Sequence, residues 1–310
     1  MESFLTSMMK IIENTNLYED KMFPGAFIGA TMIASGIENS AIVYHGYLGC
    51  NIESIHMRSD TIPNGFYTPI IATGLNESDS VYGGTAKLKR TLENVASKNF
   101  DLIWIMTGDA TSITGDDIHG IAVLYSKKYS KKIIALDVPG FLGGITVGSD
   151  IAIANILAQQ KPKTTLNDSL LLLGPHLMGS KSHPNDIIEL ERLINLIDIN
   201  CVGTLASRIT QKDLYNVLST QSILSLSWES MPHSMKQFSK NNIKSIKNDF
   251  TLPLGIANTE KWLLKIARKF NKTEKAKKIL EEEKNILLKQ LKYNYNFSWL
   301  SSLYNEKTCS

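Results

Sequence analysis

The apolar positions in the first half of the chain fall in short, nearly unbroken runs separated by amphipathic stretches. Ala41–His45 (AIVYH), Pro69–Thr73 (PIIAT), Asp101–Met106 (DLIWIM) and Lys132–Val138 (KIIALDV) are rich in aliphatic and β-branched side chains. Runs with so little polar alternation predict strands covered on both faces. Between them, Asn51–Arg58, Gly84–Ser97 and Asp116–Tyr129 carry helical spacing. Alternation of this kind predicts a parallel, doubly wound sheet.

The pattern then restarts. Ser149–Gln160 has helical spacing, and Lys161–Asp168 (KPKTTLND) is polar, holds a proline and reads as a linker. New strands are predicted at Ser169–Leu173, Asn200–Thr204 and Ser222–Ser227, with helices at Pro184–Ile197, Thr210–Leu218 and Met231–Lys240. From Thr259 to Lys292 the pattern is a charged, amphipathic helix pair broken and capped near Asn271–Thr273. The fold class expected is α/β, with tandem doubly wound (Rossmann-like) parallel sheets. The boundaries expected are 1–160 for a first α/β domain, 161–258 for a second, and 259–310 for a helical segment and the start of a third.

Composition adds exclusions. With 310 residues, 43% hydrophobic and 20% charged, the chain can bury a sizeable core. A formal net charge of +3 gives no reason to propose nucleic acid or an anionic membrane as partner. No apolar run reaches the roughly 20 residues of a membrane span, and Met1–Asn16 lacks a signal-peptide pattern. A cytoplasmic protein is expected. The three cysteines, Cys50, Cys201 and Cys309, form no zinc-finger or thioredoxin spacing, so any metal or redox role rests on single cysteines.

Ligands of open parallel sheets bind outside the carboxyl ends of the strands, so the loop after each strand carries the candidate chemistry. After AIVYH come Gly46-Tyr47-Leu48-Gly49-Cys50. Two glycines permit a tight turn. Cys50 would then meet a helix N-terminus, which favours thiolate; the alternative is a small buried residue in a turn. After DLIWIM, the stretch Thr107–Asp117 is rich in hydroxyls and carboxylates. Asp116 and Asp117 suit the cap and first turn of the next helix. Asp109 is left as a ligand or a loop hydrogen-bonder. Pro139–Gly144 and Gly83-Gly84 could cradle an anion or form turns. None of these is a Walker A or dinucleotide fingerprint, so the chain by itself is not expected to hydrolyse ATP.

Five segments in register resemble the nitrogenase component 1 superfamily across roughly residues 20–292. His45-Gly-Tyr-Leu-Gly-Cys50 resembles its HGPxGC loop, and Glu77–Leu88 (ESDSVYGGTAKL) its ExDxVFGGxxKL segment. Thr114–Ile118 resembles its IGDDI, Asp137–Phe141 its DTPGF strand end, and Pro253–Thr259 with Trp262 and Leu263 its PxGxxxTdxfL. The resemblance implies an iron–sulfur cluster, of four-iron four-sulfur type, at a subunit interface. It implies a homodimer or a heterodimer with a related subunit, and an ATP-dependent iron protein as electron donor.

Carried over residue by residue, the resemblance makes Cys50 a cluster ligand, with Gly46 and Gly49 shaping its loop. A second family cysteine falls at Asp109, where a carboxylate could ligate iron, and a third falls near Met22. The chain stops where a third domain's first strand would begin, so that domain is expected to be truncated or reduced. No match appears for the cysteine and histidine that hold nitrogenase's iron–molybdenum cofactor, which argues against dinitrogen reduction. The activity expected is that of an electron-accepting reductase subunit; the alternative is a cluster-free partner subunit or a cofactor-assembly scaffold. Among the remaining residues, Cys201 is expected in the core and Cys309 in an inert tail. His45 is expected to hydrogen-bond its loop, His56 to pack on a helix, and His176, His183 and His233 to lie on solvated loops. Arg58 could pair with an anionic cluster, whereas Lys87 is expected to be surface charge.

Overall fold

The computed structural model describes residues 25–52, 68–161, 164–174, 183–205, 207, 209–226, 231–247 and 252–294. Two four-stranded parallel sheets organise them. In the first, β1 (Ser40–His45) lies between β2 (Ile70–Ala72) and β3 (Leu102–Thr107), with β4 (Lys132–Leu136) beyond β3. In the second, β5 (Ser169–Leu173) lies between β6 (Asn200–Leu205) and β7 (Ser222–Ser225), with β8 (Lys244–Ile246) beyond β7. Both sheets therefore repeat one strand order, and each has a switch point beside its first strand. The α/β class with two doubly wound parallel sheets is what the apolar runs predict; β8 is too short and polar to be read from them.

Side-chain alternation divides the interior into three layers of packing. Ala41, Val43, Ile103 and Ile105 face outward onto α3 (Thr85–Ala96) and α5 (Ile118–Tyr129). Ile42, Tyr44, Leu102, Trp104 and Met106 face the opposite way, into a cluster that continues through α1 (Ala26–Ser35) and α6 (Ile145–Ala158) to Leu171, Leu173 and Ile223 of the second sheet. The outer face of that sheet packs Leu170, Leu172 and Leu224 against α7 (His183–Leu196), α10 (Gly255–Lys269) and α11 (Thr273–Asn294). The two sheets thus share one core through a central pair of helices.

That central pair explains what the sequence pattern missed. Helix α1 is absent from the sequence reading, and α6 begins four residues earlier than the Ser149 expected. Helix α1 is buried on nearly every side and α6 along most of its middle, and both are apolar all round, so neither carries the apolar stripe that marks a surface helix. They touch backbone to backbone: a Cβ on Gly29 would overlap the Ile145 carbonyl, and one on Gly148 the Ala26 carbonyl. Asp150 on α6, 2% exposed, accepts hydrogen bonds from the backbone N–H groups of His233 (2.9 Å) and Ser234 (2.7 Å). This ties α9 (Pro232–Lys240) to α6 and places His233 in a helical first turn rather than a loop, with its side chain solvated as expected. Two short helices, α2 (Glu77–Tyr82) and α4 (Asp109–Thr114), are also absent from the sequence reading, and α8 (Gln211–Asn216) is a shorter helix than the one read there.

The Asn51–Arg58 helix lies outside the described residues beyond Ile52, as do Met22, His56, Arg58, His176, Cys309 and the side chain of His183. Among the described residues no helix is long and apolar enough to cross a membrane. Because the α1–α6 contact is backbone on backbone, no rotamer change can absorb a methyl group there. Gly148→Ala is expected to destabilise the chain by at least the roughly 1–3 kcal/mol of an overpacked core, read as a lower urea midpoint in equilibrium unfolding.

Candidate functional site

Four loops meet at the carboxyl edge of the first sheet. After β1, the Gly46 N–H donates to the Thr73 hydroxyl at 3.1 Å, and the Leu75 N–H donates to the Gly46 carbonyl at 3.1 Å. Gly49 has φ +96°, a conformation that favours glycine. Cys50 follows it, exposed, ahead of the helical residue Ile52. After β3, the Gly108 N–H donates to the His45 carbonyl at 2.8 Å, and the Thr111 hydroxyl donates to the same oxygen at 2.6 Å. Asp109 is the first residue of α4, so the stretch read from sequence as a loop is a helical turn. After β4, the Gly140 N–H donates to the Asp109 carboxylate at 2.5 Å.

Tyr44 forms the floor between these loops. Its ring lies 4.8 Å from that of Phe27 and is buried. Gly46 and Gly108 leave the space it fills, since a Cβ on either would collide with the phenol. Burial first, then the nearby Cys50 and Asp109, push the Tyr44 pKa well above its ordinary value. The two candidate ligands named from sequence, Cys50 and Asp109, therefore lie on the two segments whose glycines, Gly46 and Gly108, face this phenol.

His45 braces the loops from beneath. It is fully buried, with Nδ1 3.1 Å from the Thr73 hydroxyl and Nε2 3.0 Å from an Asp116 carboxylate oxygen. The tautomer that satisfies both carries its proton on Nε2. Burial lowers the His45 pKa, with Asp116 opposing. Asp116 does not cap α5; Asp117 does, accepting from the Gly120 N–H at 2.8 Å. Asp116 instead accepts from the Gly84 N–H (2.8 Å) and the Thr85 hydroxyl (2.7 Å). Burial alone would raise the Asp116 pKa, but those two donors and His45 outweigh it and hold it low.

The Gly83-Gly84 pair thus spends its amide inside the protein and does not cradle an external anion. Lys87, expected as surface charge, is a tie: its ammonium donates to the Gly74 carbonyl (2.8 Å) and lies 2.6 Å from Asp79. The Lys87 hydrogen bond, then the Asn76 N–H, hold the Asp79 carboxyl below its usual range. Cys201 is half-buried, with its thiol pushed up to about 12 chiefly by burial, which keeps it protonated and unreactive.

Two further features bear on chemistry. Each segment that follows a strand of the first sheet presents a large apolar side chain to solvent: Leu48 (76% exposed), Tyr82 in α2 (88%), Ile113 in α4 (76%) and Phe141 (63%). At the carboxyl edge of the second sheet lies a cleft of about 870 Å³, lined by Gly174, Leu226, Leu190, Leu254, Leu280 and Leu287 among others. Arg192 bridges Glu189 and Glu283 in its wall, a tie of α7 to α11. That volume is within the range of small-molecule sites.

The donor set decides how an iron–sulfur cluster could be held. Such a cluster takes about four protein ligands. Among the described residues no three His, Cys, Asp or Glu side chains gather at one point. At this edge the described residues offer one thiol, Cys50, and one carboxylate, Asp109, so a cluster here would need donors from beyond them.

Protonation of His45 is resisted in the fold and free in the unfolded chain. Its folded pKa is depressed below the unfolded value of about 6.5, so stability is present above that value and falls as pH drops through it. Asp116 adds a second loss only at pH values below the ordinary carboxylate range. Equilibrium unfolding at pH 5.5 and pH 7.5 is expected to show lower stability at the acid end. His45→Asn should be less stable at pH 7.5 and should lack that part of the slope; an identical slope would remove His45 as its source.

The family model for nitrogenase component 1 type oxidoreductase matches residues 25–299. The nitrogenase iron-molybdenum cofactor biosynthesis protein NifE of Clostridium pasteurianum is 25% identical over 268 residues, 84% of this chain and 57% of its own. The nitrogenase molybdenum-iron protein alpha chain of Methanothermobacter thermautotrophicus is 23% identical over 313 residues, 92% of this chain and 65% of its own. The solved structure of nitrogenase Cp1 at pH 6.5 superposes with a TM-score of 0.72 at 20% identity, covering 90% of this chain and 56% of its own, a likeness of fold. The chain spans somewhat more than half the length of these proteins. With that model matching most of its length and both parallel sheets in the likeness of fold, the chain belongs to the nitrogenase component 1 type oxidoreductase family.

Proposed function

We propose that this chain is an electron-accepting reductase subunit that holds an iron–sulfur cluster between two chains at the carboxyl edge of its first sheet. The reading is supported by the meeting of the Cys50 and Asp109 segments over the Tyr44 phenol, at an edge where Leu48, Tyr82, Ile113 and Phe141 are exposed. Apolar side chains on every loop around a donor pair suit a face covered by another subunit. Two copies would bring two thiols and two carboxylates; a related subunit could bring its own cysteines. A cluster so held supplies low-potential one-electron chemistry. This chain's residues would bind it through sulfur and oxygen, exclude water with the apolar rim, and keep the loops in register through His45. An ATP-dependent iron protein is the electron donor in this reading, and the cleft at the second sheet is the place for a small unsaturated or tetrapyrrole-like substrate.

A second reading is a cofactor-assembly scaffold or cluster-free partner. It is favoured by Asp109 standing where a cysteine is expected and by the likeness to NifE. Anoxic purification of the full chain, with iron and acid-labile sulfide counted per chain, separates the two. The reductase reading expects iron, sulfide and a broad visible absorbance, with Cys50→Ala removing most of the iron. A folded, iron-free protein, with or without a related subunit added, would support the second reading. Iron retained in full by Cys50→Ala would mean that another residue is the ligand.

A further inference from the structure

The cleft at the second sheet pairs an apolar floor with an unbalanced set of charges. Its described lining carries four carboxylates, Asp186, Glu189, Glu260 and Glu283, and two cations, Arg192 and Lys284. Arg192 is the side chain best suited to clamp a ligand anion, and it is already engaged. Its guanidinium donates to both oxygens of Glu189 at 2.7 and 2.8 Å and to both oxygens of Glu283 at 3.0 and 2.6 Å. No two-pronged face is left for a ligand carboxylate. The Arg192 hydrogen bond also holds the Glu283 carboxyl below its usual range, so it stays ionised near neutral pH. The triad therefore presents one net negative charge to the cleft.

Two features work in the other direction, and neither reverses the sign. The N-terminus of α10 opens on the cleft with no side-chain cap. A helix end is worth roughly half a positive charge, less than the two surplus carboxylates. The positive end of α7 meets Asp186 in its own first turn. The Thr259 hydroxyl is spent on backbone, 2.8 Å from the Gly255 carbonyl and 3.1 Å from that of Pro253.

We infer that this cleft selects a conjugated, apolar small molecule bearing a positive charge and discriminates against ligands that carry carboxylate or phosphate. The cleft volume of about 870 Å³ suits a ligand of that size. Selection of this kind narrows the substrate class of the proposed reductase. It rests on that reading only for calling the ligand a substrate; the binding preference comes from the cleft alone. A tetrapyrrole with free carboxylates fits these walls poorly, because desolvating an anion beside uncompensated carboxylates is costly.

The full chain, iron-free and without detergent, is titrated with two fluorescent probes built on one diphenylhexatriene frame. One carries a trimethylammonium group and the other a propionate. At about 20 mM salt the ammonium probe is expected to bind roughly tenfold more tightly, and the gap is expected to close near about 0.5 M salt as screening removes it. Equal affinities at low salt, tighter binding of the propionate probe, or binding of neither overturns the inference. Glu260→Lys changes an exposed rim position and is expected to shrink the gap by roughly threefold or more; an unchanged gap overturns the inference. Leu254→Gln is expected to weaken both probes alike, and full affinity in that variant overturns it too. If Glu260→Lys melts early, Glu260→Gln replaces it and is expected to shrink the gap less. None of these measurements needs iron. A preference for the ammonium probe in a chain that takes up no cluster sinks the reductase reading and leaves the selectivity of the cleft standing.

Discussion

The bond between His45 and Asp116 is the one on which the candidate site depends. A fully buried imidazole at the end of a central strand holds the loop after β2 through Thr73 and the start of α3 through Asp116, while its own carbonyl takes the loop after β3. Each of these contacts is a polar group out of water that is costly to leave unpaired. Together they link each of these segments to its neighbours. The exposed residues above, Cys50 and Asp109, therefore inherit positions set by a buried network that takes no part in chemistry itself.

A second constraint works at larger scale. Joining two sheets through one core requires helices that bury every side, and such helices have to be thin at their contact. Gly29 and Gly148 provide this, and Asp150 pins α9 to the same layer. The first sheet's edge and the second sheet's cleft are held in a fixed relation by that layer, because residues of both sheets share its cluster.

The chain announces its strands openly and its central helices hardly at all. Ala41–His45 and Asp101–Met106 are legible because a strand with two buried faces is a run of apolar residues. Ala26–Ser35 was silent because a helix buried on every side has no stripe. Cys50 and Asp109 could be singled out from loops and resemblance, since exposed donors at strand ends have few other reasons to be there. Tyr44 could not, because a tyrosine in AIVYH reads as one more strand residue; the hint lay in two glycines, at 46 and 108, that are neighbours only in the folded chain. Asp116 and Lys87 were misassigned for a related reason. Capping and surface charge are the commoner local roles of such residues, and the partners that override them lie on other elements of the fold.

The apolar rim has a thermodynamic consequence of its own. Leu48, Tyr82, Ile113 and Phe141 stand on loops otherwise held by polar contacts, so a lone chain keeps four large side chains in water. Burying each is worth on the order of 1.5–3 kcal/mol. Any face that covers them also draws the equilibrium toward the ordered loops by mass action. The firmness of this edge is therefore a property of the solution as well as of the chain: it rises with the concentration of whatever meets it.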